Sequence, residues 1–121
     1  MYYLVLVSDS PTQMRERLAL APSDARVAVG RNTRDEADQF LDRHADATAV
    51  YLVTSGYHGA RALMTWVKAA NDRGRRIHFG ILTSNTADDD TARTLGELRR
   101  IRDYQAKGDC ATLEEALEYL A

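Results

Sequence analysis

Seven side chains of this chain have the types that phosphate or metal chemistry uses: Ser8, Asp9, Thr54, Ser55, Thr83, Ser84 and Lys107. Each stands at or just beyond the end of a short apolar run, and the carboxyl ends of neighbouring parallel strands are where an open sheet collects functional groups. One carboxylate, one lysine and several hydroxyls suit an anion or a nucleotide, held by charge-assisted hydrogen bonds and by amides at loop ends. The same set suits magnesium poorly. A hard cation wants several carboxylate oxygens, and Asp9, the single carboxylate here, is only a weak metal candidate. Covalent chemistry fares no better, because a serine or threonine hydroxyl needs an adjacent base and no Asp or Glu occurs between Ala47 and Ala70. His58 and His78 have no serine, cysteine or carboxylate partner in sequence register, and no glycine-rich phosphate fingerprint is present. The expectation is a protein that is not an enzyme, with no catalytic residue, no metal and no cofactor.

The totals set the frame for those residues. At 121 residues the chain is sized for one domain, spanning 1–121, and 45% hydrophobic with 28% charged residues is an ordinary globular composition. A net charge of −2 gives no electrostatic reason to bind nucleic acid or an anionic membrane. Cys110 is the single cysteine, so no internal disulfide can form, and a reducing cytoplasm is expected. The apolar run Tyr2 to Val7 is too short to span a bilayer and lacks the flanks of a signal peptide.

Apolar runs alternate with amphipathic stretches along the whole chain. Tyr2 to Val7 reads as a strand buried on both faces. Ser10, Pro11 and Gln13 then open a short helix that ends before Pro22. Arg26 to Gly30 reads as a weaker strand. Thr33 and Glu36 have capping-box spacing ahead of a helix with Ala37, Phe40, Leu41 and His44 on its apolar stripe. Ala49 to Val53 is the third strand, followed by a loop from Thr54 to Gly59. The next helix turns Leu63, Met64, Val67 and Ala70 inward, carries Trp66 at the edge of that stripe, and closes at Gly74. Ile77 to Leu82 is the fourth strand, and the helix after it has Asp88 to Asp90 in its first turn and Arg99, Arg100 and Arg102 in its last. Tyr104 to Ala106 reads as a short fifth strand. A final helix is capped by Thr112 and Glu115, with Leu113, Ala116, Leu117 and Leu120 facing inward. Strict alternation implies an α/β fold: one doubly wound, five-stranded parallel sheet.

Three segments bear a resemblance to the receiver domain of bacterial response regulators, the signalling half of two-component systems. Val5-Leu6-Val7-Ser8-Asp9-Ser10-Pro11 is similar to the receiver's first strand with its acidic pair. Ile81-Leu82-Thr83 is similar to the fourth strand with its hydroxyl, and Asp103-Tyr104-Gln105-Ala106-Lys107 to the fifth strand with its lysine. The likeness covers nearly the whole chain and implies a flavodoxin-like sheet in the order 2-1-3-4-5. It implies that Thr54, with Ser55 as the rival alignment, stands where a receiver carries its phosphorylated aspartate. It also implies that Ser8, Asp9, Thr83, Ser84 and Lys107 form the remnant pocket, in which Asp9 and Lys107 can pair. Ser8 replaces the first metal-binding acid, and Gly108 stands where receivers usually have proline.

The functional expectation is a pseudo-receiver, a cytoplasmic signal-transduction module that works by protein–protein interaction without phosphoryl transfer. The resemblance implies a switch formed by Thr83 and Tyr104. It also implies a contact face on the fourth helix, fifth strand and fifth helix, with Arg99, Arg100, Arg102, Tyr104 and Glu118, for a partner protein or a homodimer. The alternative is a sensor of a small anion or nucleotide that uses the strand-end pocket.

Overall fold

The computed structural model describes residues 1–7, 25–84 and 91–120. Ser8, Asp9, the helix expected between Pro11 and Leu20, and the acidic run Asp88 to Asp90 lie outside the described residues, as does any pairing of Asp9 with Lys107. Four strands form one parallel sheet in the order β2-β1-β3-β4: β1 is Tyr2–Leu6, β2 Arg26–Val27, β3 Ala49–Ser55 and β4 His78–Ser84. The helices are α1 (Thr33–Arg43), α2 (Gly56–Asp72), α3 (Thr91–Lys107) and α4 (Leu113–Leu120). The chain is thus α/β with a parallel sheet of four strands among the described residues.

The expected fifth strand does not form. Tyr104 to Ala106 belong to the last turns of α3. Glu97, Ile101 and Tyr104 fall at i, i+4 and i+7 and all turn inward, Glu97 fully and the other two in part. The segment between them is rich in Leu, Arg, Gln, Ala and Lys, all good helix formers. Extending an existing helix by a few such residues is easy, whereas a three-residue strand has little apolar surface to bury. It follows that Arg99, Arg100 and Arg102 lie in the middle of α3 and not in its last turn.

The two central strands also run further than expected. β3 passes from Ser55 straight into α2 at Gly56, so Thr54 and Ser55 are strand residues and no intervening loop exists. In β4, Thr83 and Ser84 are likewise within the strand, and the register sets Thr54 beside Thr83 and Ser55 beside Ser84.

One apolar cluster joins the sheet to the helices. Val5, Val7, Val50, Leu52 and Phe79 project from the strands and meet Phe40 and Leu41 of α1, Trp66 and Val67 of α2, and Ala116 and Tyr119 of α4. Trp66 is fully buried, at the centre of this cluster and not at its edge. His44 closes α1 and stacks on Phe40 and Tyr3, with ring centroids 4.3 and 4.6 Å away, a packing role. The cap of α1 is Asn32, one residue before the expected threonine: its side chain accepts from the Asp35 amide at 2.8 Å. The expected box at α4 is present, with Glu115 N–H donating to Thr112 Oγ1 and Thr112 N–H to Glu115 Oε1.

Loops at the amino end of the sheet are tied by two side chains. Arg75 follows Gly74, whose φ of +66° ends α2 in the left-handed region. The Arg75 guanidinium donates to the carbonyls of Leu41, His44 and Ala47, satisfying acceptors at the end of α1. The Tyr119 hydroxyl accepts from the Ile77 amide and donates to the Arg75 carbonyl, both at 2.8 Å. Anchoring α4 through Ala116 and Tyr119 rotates its other side outward. Leu113 and Leu117, expected inward, are therefore 66% and 61% exposed.

Candidate functional site

At the carboxyl end of β3, burial falls on polar residues. Thr54 and His58 are fully buried, and Arg61, Thr65 and Glu97 nearly so. The run from Thr54 to Thr65 crosses from β3 into the first turns of α2, so His58, Arg61 and Thr65, at i, i+3 and i+7, share one face. That face meets α3. Arg61 Nε donates to Glu97 Oε2 and Arg61 Nη2 to Glu97 Oε1, a forked pair. Nη2 also lies 3.0 Å from His58 Nδ1. Nδ1 lies 3.6 Å from Glu97 Oε2 as well, so the same ring nitrogen faces both partners of the pair, and which of them it bonds is set by the ring's tautomer.

The cluster fixes the charge state of its acid. Burial alone would push the Glu97 carboxyl up, but hydrogen bonding with His58 and Arg61, together with the guanidinium charge, outweighs it and holds the group at about 2. Arg100 adds a second, more exposed contact to Glu97 Oε1 at 3.1 Å. Next to this pair, Thr65 Oγ1 donates to the Arg61 carbonyl or to Cys110 Sγ, at 2.7 and 3.1 Å. Burial raises the Cys110 thiol above its ordinary value. Thr54 Oγ1 and His58 Nε2 make no hydrogen bond among the described residues.

These positions separate the sequence-expected residues into groups. Thr54 lies fully buried beneath the cluster, which leaves its hydroxyl remote from solvent. The side chains of Ser55, Thr83 and Ser84, like Ser8 and Asp9, lie outside the described set. Lys107 ends α3, with Nζ 5.2 Å from the centroid of the Tyr104 ring, and Arg61 Cζ approaches the same ring at 5.7 Å. Tyr104 is thus a contact of Arg61 on a helix. Arg99, Arg100, Arg102 and Glu118 are exposed as expected.

No family model, curated protein or solved structure matches this chain. The site therefore has to be read from its own geometry. His58, Arg61 and Glu97 were not picked out as a group in the sequence, although His58 and Arg61 are one helical turn apart. Glu97 is 36 residues further on, and nothing local marks it as their partner. Among the described residues no three His, Cys, Asp or Glu side chains converge as metal ligands, and no helix is long and apolar enough to cross a membrane.

Outside the buried cluster, α3 and α4 present two stripes. On α3, Leu95 and Leu98 are 52% and 56% exposed, and Arg99 and Arg102 complete the i, i+3, i+4, i+7 pattern on the side opposite Glu97 and Tyr104. On α4, the exposed Leu113 and Leu117 are accompanied by exposed Glu114 and Glu118. One stripe pairs leucine with arginine and the other pairs leucine with glutamate.

Proposed function

We propose that this chain is a docking module of the pseudo-receiver kind, acting in regulation by protein–protein contact without phosphoryl transfer. The observation that carries the reading is the pair of leucine stripes on α3 and α4 with opposite flanking charge. Four leucines more than half exposed on two helices that both pack on α2 cost solubility unless they are covered in use. Arginines beside one pair and glutamates beside the other set which surfaces can cover them, because like charges brought together repel.

A second copy of the chain meets that requirement. In a two-fold pair the same patch serves both subunits, so α3 of one copy lies on α4 of the other and the reverse contact forms at once. Arg99 and Arg102 then face Glu114 and Glu118, twice per dimer. The sheet order β2-β1-β3-β4 agrees with the first four strands of a receiver-like order, with Thr54 near the end of β3, and supports the pseudo-receiver reading, while the fifth strand of that order is absent among the described residues. A fully buried Thr54 hydroxyl supports a role in packing.

Analytical ultracentrifugation over a wide range of concentration tests the proposal. Wild-type chain is expected to self-associate, more weakly as salt is raised. Arg102→Glu and Glu118→Arg are each expected to weaken association, and the double charge swap to restore it. A chain that stays strictly monomeric, or a swap that restores nothing, overturns the self-docking form.

A further inference from the structure

The cleft beside Arg61 has the form of an anion site. Its volume is about 150 Å³, and among the described residues that line it are three cations from three helices, Arg34 of α1, Arg61 of α2 and Lys107 of α3, and one acid, Asp109. Two of the cations are fixed from behind. Glu97 holds the Arg61 fork, while Asp38 and Asp72 hold Arg34 through Nε and Nη2 at 3.1 and 2.9 Å. Arg34 Nη1 also reaches the Gly108 carbonyl at 3.3 Å, tying α1 to the end of α3. Lys107 differs from both, being exposed and having no carboxylate within ion-pair distance among the described residues.

We propose that this cleft binds a small phosphomonoester. Convergence from three helices is the deciding feature. A phosphomonoester offers three strong acceptor oxygens pointing in three directions, whereas a planar carboxylate offers two in one plane and matches a single guanidinium fork. Size sets the rest of the ligand. Sites for drug-sized molecules run from roughly 300 Å³ upward, so a cleft half that size admits a phosphate with a body of a few carbons and excludes a nucleotide. Tyr104, between Arg61 and Lys107, supplies a flat wall for that body. The amino end of α1, at the rim with Asn32 and Thr33, adds the favourable end of a helix dipole. Binding depends on these groups alone and stands whether or not the outer stripes of α3 and α4 dock.

Amide NMR titration of the whole chain, at constant ionic strength, tests it with four probes: inorganic phosphate, glycerol phosphate, succinate and adenosine monophosphate. Saturable shifts are expected at Asn32, Thr33, Arg34 and Lys107, with glycerol phosphate binding tightest. Lys107→Ala, at an exposed helix end, is expected to weaken glycerol phosphate by about tenfold or more while leaving thermal stability unchanged. Shifts that do not saturate, or an affinity that Lys107→Ala leaves intact, overturn the site. Succinate or the nucleotide binding as tightly as glycerol phosphate overturns the ligand class.

Discussion

On its inner side α3 buries Glu97 to 3% exposure against Arg61 and His58, while on its outer side, two or fewer residues away in sequence, Leu95 and Leu98 stand more than half exposed. The usual order is apolar inward and charged outward, and here one helix reverses part of it. A buried ion pair contributes little net stability, because desolvation of two charges offsets their attraction, but it is demanding about its partner. Exposed leucines likewise add nothing to the folded monomer. The inner face fixes where α3 lies, and the outer face is left for something other than folding.

The largest expected effect breaks the inner face. Glu97→Ala removes the carboxylate that forks onto the buried Arg61 guanidinium, which costs about 3–5 kcal/mol, a large share of the roughly 5–15 kcal/mol that holds a domain of this kind. Urea denaturation should show it as a lower midpoint. Replacing both partners, Arg61→Leu with Glu97→Leu, should recover more than half of the loss, since two apolar side chains leave no charge stranded. A single substitution costing under about 1 kcal/mol would place the pair among ordinary surface bridges and remove the contrast between the two faces.

Acid should act on the same residue with a defined sign. Glu97 sits at about 2 in the folded protein against an ordinary value of 4.5. Its depressed folded value means that it stabilises the protein fully above the unfolded value, and that the contribution is lost as pH falls from about 4.5 through about 2. The difference corresponds to a contribution on the order of 3 kcal/mol. Denaturation at a series of pH values should show stability falling through that window, and Glu97→Gln should fall less steeply there.

A neutral link gives a milder comparison. Tyr119→Phe removes the hydroxyl that bridges Ile77 and Arg75 and leaves the Ile77 amide buried without its acceptor, a cost of about 1–3 kcal/mol. Thermal unfolding should report it, with no change in the pH profile, because no group titrating at acid pH is involved. Were the loss to match that of Glu97→Ala, charge would not be what distinguishes the inner face of α3.

The parts of this molecule that were legible in the sequence are those governed by local patterns. Strands β1, β3 and β4 are dense β-branched and aromatic runs, and α1, α2 and α4 declare themselves through caps and stripes, with errors of a residue or two at most ends and of four at the start of α2, where a loop to Gly59 is expected from the sequence. The segment Asp103 to Lys107 misled because its resemblance to a strand is five residues long, while the helical spacing that overrides it begins at Glu97. The burial of α4 was misread for a related reason: Leu113 and Leu117 look like core residues until Tyr119 is seen to reach Ile77 and Arg75, more than forty residues away. The His58–Arg61–Glu97 cluster was invisible because a buried ion pair joins residues on different elements, and sequence spacing carries no trace of which acid meets which base. Lys107 was singled out as a candidate and does line a cleft, but with Arg34 and Arg61, which no local pattern connects to it.

The smallest effect on folding is expected on the outer face, and it is the one that separates folding from docking. Leu98→Glu exchanges a leucine that is 56% exposed for a good helix former, so monomer stability should move by no more than about 0.5 kcal/mol. Its effect on contact should be of another order. A glutamate there lies in the middle of the stripe between Leu95 and Arg102, so it removes apolar area and brings like charge towards the Glu114 and Glu118 side of an approaching copy. Sedimentation should then show monomer at concentrations where the wild-type chain associates, while urea curves of the two superimpose. Equal losses in both measurements would mean that Leu98 belongs to the fold after all, and that α3 has one working face instead of two.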